Sequence, residues 1–212
     1  MKELAPISIL YSRPNILVVH KDVAAYNVQE LVALARARPG VMNVASAGSG
    51  TTQHLNAEMF RRMARIDIVH VPYLGGTHLM TDLIAGRVQI HFGIPTSVLE
   101  QVRDGQIRAL AVSTPKRFAG APELPTMAES GFPDFEMTVW WGLLAPSGTP
   151  AALIEKLHEA TVQILALPDL RKRFEVMGIE PVGNSPAEFS AVIAAELPKW
   201  AKLIREAGIR LD

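Results

Sequence analysis

With 212 residues, 49% hydrophobic and 20% charged, the chain has enough apolar mass for one large or two small cored domains. Its 21 acidic and 21 basic residues cancel, so it lacks the basic footprint of a nucleic-acid binder, and the absence of cysteine excludes disulfides and thiolate metal sites. No apolar run is long enough to span a membrane, and Met1-Lys2-Glu3-Leu4-Ala5-Pro6 lacks the apolar core of a signal peptide.

Ile7–Tyr11 and Asn15–His20 read as strands on either side of an Arg13-Pro14 turn. Asn27 with Glu30 forms a capping box for a helix that stops at Pro39-Gly40. Asn43-Val44-Ala45 is a short strand leading into Ser46-Ala47-Gly48-Ser49-Gly50-Thr51-Thr52-Gln53-His54. Beyond it Leu55, Met59, Phe60 and Met63 fall at helical spacing. That stretch is a strand, a glycine turn and a helix N-terminus, where backbone N–H groups lack helical partners at the positive end of a dipole. With the hydroxyls of Ser49, Thr51 and Thr52, the turn suits a carboxylate or phosphate oxygen. Ordinary turn and capping chemistry accounts for the same residues. The stretch matches neither a P-loop, which needs a lysine, nor a Gly-x-Ser-x-Gly elbow, because Ala47 stands at the first glycine. Gln53 likewise breaks a dinucleotide fingerprint.

Residues 66–73 form the next strand, and Gly75-Gly76-Thr77 opens a second helix carrying Leu79, Leu83 and Ile84. The strand Val88–Gly93 leads through Ile94-Pro95-Thr96-Ser97 into a third helix, and Ile107–Ser113 is a further strand. Strands alternating with helices predict a parallel sheet covered on both faces, with ligands at the carboxyl ends of the strands, where these three turns lie. Prolines 115, 122, 125 and 133 then break up the chain around one short helix over residues 126–131. Residues 138–145 read as a strand whose Trp140 and Trp141 point to opposite faces. Thr149 is the expected N-cap of a long helix with Pro150 at its first position. Residues 169–177 form a shorter helix, and Ser185-Pro186-Ala187-Glu188 caps the last one, where Pro198 should kink or interrupt it.

None of His54, His70, His78 and His91 shows the i, i+4 pairing of a helical zinc site, so no metal and no cofactor is expected. His54, on the first turn of the glycine-loop helix, reads either as an anion contact or as a packing histidine. No nucleophile or acid–base pair can be assembled, so no catalytic residue is expected.

Several motifs recur in order: Ser46-Ala47-Gly48-x-Gly50-Thr51-x-x-His54, Val71-Pro72-Tyr73-x-Gly75, Thr81-Asp82-Leu83-x-x-Gly86-x-Val88, and Trp141-Gly142-Leu143-x-Ala145-Pro146-x-Gly148-Thr149-Pro150. Gly183-x-x-Pro186-x-Glu188-Phe189, Lys199-Trp200 and Ala207-Gly208-Ile209 follow. Each is weak alone, but the ordered set closely resembles the Bug family, the solute-binding receptors of tripartite tricarboxylate transporters. The resemblance implies an α/β, periplasmic-binding-protein-like fold of two α/β domains joined by a hinge. It implies no catalysis, a periplasmic location, and capture of a small organic acid for membrane transporter subunits. The acid would be a di- or tricarboxylate, an acidic amino acid or an aromatic acid. Carried over residue by residue, the ligand wall is Ser49, Gly50, Thr51, Thr52 and His54, with Gly75, Gly76 and Thr77 as a second contact and Pro95 and Thr96 as a third. The family's leader and the segment supplying most of its first domain have no counterpart here. The expected division is therefore domain 2 at residues 16–136 and an incomplete domain 1 at residues 1–15 and 137–212. A chain that truly starts at Met1 would stay in the cytoplasm. A fragment, a misassigned start, a short form that dimerises over its exposed apolar edge, and a remnant that transports nothing are all open readings. So is a ligand-sensing or enzymatic relative of the same fold.

Overall fold

The computed structural model describes residues 3–210; residues 1, 2, 211 and 212, at the ends of the expected 1–15 and 137–212 segments, lie outside the described residues. In chain order the elements are β1 (Leu4–Arg13), β2 (Ile16–His20), α1 (Val28–Ala37), β3 (Asn43–Ser46), α2 (Thr52–Ala64), β4 (Val69–Pro72), α3 (Gly76–Ile84) and β5 (Ile90–Gly93). There follow α4 (Pro95–Arg103), β6 (Ile107–Val112), β7 (Val139–Pro146), α5 (Ala151–Leu165), α6 (Pro168–Val176), β8 (Glu180–Pro181) and α7 (Pro186–Ala207). The chain divides into one compact unit of Met1–Arg13 with Val139–Lys202 and another of Pro14–Thr138 with Leu203–Asp212.

The larger unit is built on a five-stranded sheet of order β4-β3-β5-β2-β6. β3 runs parallel to β4 and β5, but β2 is antiparallel to both β5 and β6, which corrects the expected all-parallel sheet. The apolar run Ile16-Leu17-Val18-Val19 reports burial on both faces and not direction, since all five residues of β2 are buried whichever way it runs. Ile16 and Val18 pack on one face against Leu79, Leu83 and Val98 of α3 and α4. Leu17 pairs with Phe92, which meets Phe60 of α2 edge-on and stacks with Phe135 on the other face. Helices thus cover both sides.

Local chemistry sets the element ends. Asn27 Oδ1 accepts the Glu30 N–H at 2.9 Å, while Glu30 Oε2 accepts from Tyr26 N at 2.7 Å, so the α1 box closes one residue early. β4 is confined to four residues instead of the expected run from 66 to 73. Residues 126–131 form a hydrogen-bonded turn and not the expected helix. Thr126 and Glu129 do cap each other reciprocally, at 2.7 and 3.0 Å, but Gly131 at φ +89° and Pro133 stop propagation.

The smaller unit holds the antiparallel sheet β7-β1-β8. Ile9 of β1 packs with Phe189 and Ile193 of α7. Trp140 lies edge-on to Phe189 and donates its indole N–H to Glu196 at 2.9 Å. Trp141 projects to the other side, stacked on Tyr11 at 4.9 Å with the Arg13 guanidinium over its ring. Pro150, at ψ 140°, is the cap of α5 and Ala151 its first residue, which moves the expected Thr149 cap by one position. Ser185 and Glu188 close the α7 capping box at 2.8 and 3.2 Å. α7 then runs for 22 residues through Pro198, so of the expected kink or interruption the interruption does not occur.

Candidate functional site

The chain order of the larger sheet brings three strand-to-helix turns to one edge. β3 is central, and its Ser46 pairs with Pro72 at the end of β4 while its Ala45 pairs with His91 in β5. The carboxyl ends of three neighbouring parallel strands therefore lead into α2, α3 and α4. Tyr73 N donates to Ser46 O at 2.8 Å, which ties the second turn to the first.

In the first turn Gly48 and Gly50 have φ of +132° and +76°, a region closed to most side chains. Thr51 is the N-cap: its Oγ1 accepts the His54 N–H at 3.4 Å and donates to Gly48 O at 2.8 Å. Ala47 N donates to Gln53 Oε1 at 2.7 Å. With His54 N capped, the N–H groups of Thr52 and Gln53 are the first-turn donors left without a helical acceptor. Thr52 Oγ1 is itself held by the buried Asn15, whose Nδ2 lies at 3.4 Å, just before β2.

In the second turn Gly75, at φ +98°, is the N-cap of α3 and makes no side-chain cap bond. A Cβ placed on Gly75 or Gly76 would meet nothing within 4 Å, so this turn borders open space. Thr77 is exposed on the first turn of α3. In the third turn Pro95 is buried at the first position of α4, which has no side-chain cap, and Thr96 beside it is exposed.

Ser49, Gly50, Thr51 and Thr52 thus share the first turn, Gly75, Gly76 and Thr77 form its neighbour across the β3–β4 pair, and Pro95 and Thr96 lie at the end of the strand on the other side. No lysine or arginine occurs among residues 46–54 or 75–77, so what these two turns themselves offer a negative charge is N–H and hydroxyl dipoles. His54 is 7% exposed and its ring lies under the turn: Gly50 N donates to its Nδ1 at 3.2 Å.

Sequence reasoning passed over His70, Ser46, Gln53 and Asn15. His70 stacks on His54 and its Nε2 is 2.7 Å from Ser46 Oγ. Burial, with His54 alongside, takes the His70 imidazole down to about 4, and burial lowers His54 as well against the opposing pull of Glu58. In a strand, alternation alone cannot tell a histidine under a ligand turn from one facing solvent. The available signal was position, since His70 comes two residues before the end of a parallel strand.

The model of a family described as tripartite tricarboxylate transporter family receptor matches residues 1–209. A protein of Pseudomonas sp. named UPF0065 protein in tcbD-tcbE intergenic region is 34% identical over 206 residues, covering 97% of this chain and 61% of its own length. The chain spans about three fifths of the length of this relative and of two further curated ones. A solved structure described as R. palustris Rpa4515 with adipate is 32% identical with a TM-score of 0.83, covering 98% of this chain and 70% of that one. MatC from Rhodopseudomonas palustris, solved with bound malate, is 25% identical with a TM-score of 0.78 over 95% of this chain and 69% of that one.

Proposed function

The chain belongs to the tripartite tricarboxylate transporter receptor family, and on that premise we propose that it captures a small organic carboxylate for a membrane transporter in the periplasm, without catalysis. The observation that carries the reading is the convergence of three strand-to-helix turns on one edge of one sheet, two of them glycine-rich, with uncapped N–H groups and no lysine or arginine in the turns themselves. A carboxylate is what such an array of dipoles holds. Ser49, Gly50, Thr51 and Thr52 form the main wall, with His54 behind them and Gly75, Gly76, Thr77, Pro95 and Thr96 as flanking contacts. The larger unit is the family's second domain in this reading, and the smaller unit is part of its first. Adipate and malate in the two solved relatives make linear dicarboxylates the first candidates. Leu143, Leu153, Leu157 and Ile164 of the smaller unit are exposed apolar residues, and they favour pairing with a second copy. A clean monomer mass in light scattering at micromolar concentration would remove that element alone.

The test is a thermal-shift screen of the purified chain against malate, adipate, citrate, glutamate and benzoate. An acid at a hundred times its dissociation constant stabilises by about 2.7 kcal/mol, roughly 5–10 °C for a chain of this size. A shift with one acid names the ligand class. A sharp melt unmoved by every acid, or any product formed on incubation, overturns the reading.

A further inference from the structure

Under the first turn the rings of His54 and His70 lie face to face, 3.6 Å between centroids and 10° from parallel. Each holds a different part of the turn. Gly50 N donates to His54 Nδ1, so that nitrogen carries no proton and the ring's single proton is on Nε2. His70 Nε2 is 2.7 Å from Ser46 Oγ, which lies 3.0 Å from Gly48 O and 3.3 Å from Gly48 N. Every one of these atoms is satisfied when His70 Nε2–H donates to Ser46 Oγ, the Ser46 hydroxyl donates to Gly48 O, and Gly48 N donates back to Ser46 Oγ. The two imidazoles therefore set the backbone of both glycines.

The groups facing the pair from the packed elements are few. From α2 there is Glu58, whose carboxylate is already held by Arg61 at 2.8 Å with Arg62 at 3.8 Å. From β3 there is the neutral Ser46, and from β4 only His70 itself. Among the described residues no carboxylate makes a hydrogen bond to either ring.

We propose that His54 is a positioning residue for the turn and that the stacked pair makes the turn acid-sensitive. With both rings neutral, Gly50 is anchored and the N–H groups of Thr52 and Gln53 keep one orientation. A proton on His54 Nδ1 turns the acceptor into a donor aimed at the Gly50 N–H. It also sets a cation against the face of a second, half-buried imidazole. Gly50 is then released and the donor array loses its shape. Burial holds both rings neutral near pH 7, so the array is formed there and lost on acidification. The inference rests on the turn's being the anion cradle of the receptor reading, but its test uses no ligand.

The test is a pH titration of the full chain, labelled with ¹⁵N, followed at the histidine ring nitrogens and the backbone amides. At pH 7 the expected His54 signals are those of a bare Nδ1 and a protonated Nε2. On acidification the Gly50 amide should move with the same midpoint as His54, below the ~6.5 of a free imidazole. His54→Asn puts a carboxamide oxygen where Nδ1 was, and should keep the Gly50 bond while removing its pH dependence. His54→Phe keeps a stacked ring without an acceptor, and should lose exchange protection of the Gly50 amide at pH 7. A protonated His54 Nδ1 at pH 7, a Gly50 amide indifferent to the His54 titration, or a His54→Phe chain with wild-type Gly50 protection would each overturn the proposal. The wild-type titration decides if a variant does not fold. Failure of every acid to bind would leave these signals as they are and would count against the receptor reading alone.

Discussion

The ring of Phe189 fills the space that a side chain at residue 142 would need. A Cβ built on Gly142 falls onto the Cζ of Phe189 and lies 2.6 Å from its Cε1, and Phe189 is fully buried between Ile9, Trp140 and Ile193. Gly142→Ala must push that ring out of the core of the smaller unit. Overpacking of this kind costs about 1–3 kcal/mol. The melting temperature is expected to fall by several degrees, and Gly142→Ala combined with Phe189→Leu should lose less than the sum of the two single changes. A Gly142→Ala chain as stable as the parent would contradict the packing described.

Ser113 joins two segments of the larger unit. Its Oγ accepts from Asn15 N at 2.9 Å and donates to Met137 O at 2.6 Å, with 1% of the residue exposed. Ser113→Ala leaves a buried N–H and a buried C=O without these partners, which costs on the order of 1–3 kcal/mol. Urea denaturation should show a lower midpoint with an unchanged slope.

Thr51 tests the first turn. Thr51→Ala removes both the N-cap of α2 and the bond to Gly48 O. About 1 kcal/mol of stability should go with the cap, and any acid that raises the melting temperature of the parent should bind more weakly. Thr51→Ser retains the hydroxyl and should behave like the parent in both measurements.

His91 makes the pH dependence of stability predictable in sign. It is 2% exposed and its Nδ1–H donates to Ala45 O at 2.9 Å, while burial pushes its imidazole down to about 4. The unfolded chain takes up that proton near 6.5, so between 6.5 and about 4 the unfolded state binds more protons than the folded one. Stability is full above pH 6.5 and falls as the pH drops towards 4, and His70 adds to the slope in the same direction. Denaturation midpoints at pH 7.5 and 5.0 measure this. Equal midpoints would refute it, and His91→Gln should flatten part of the slope.

The sequence by itself determined the elements and the turns. Capping pairs such as Asn27–Glu30 and Ser185–Glu188, glycines at 48, 50 and 75, and apolar spacing in α2 act over a few residues. Short-range sterics and hydrogen bonds decide them whatever lies beyond. The order of motifs also carried the family resemblance, and with it the residues of the candidate site. Tertiary structure decided what depends on pairing between distant segments. β2 runs against its neighbours because strand direction follows from how the chain returns to the sheet, and an apolar run does not encode that. α7 continues through Pro198, which local propensity alone would disfavour. His70 comes under the glycine turn only because β3 and β4 pair in the register that sets Ser46 opposite Pro72. A shift of one residue would turn His70 to the other face of the sheet and leave Ser46 and His54 without their neighbour.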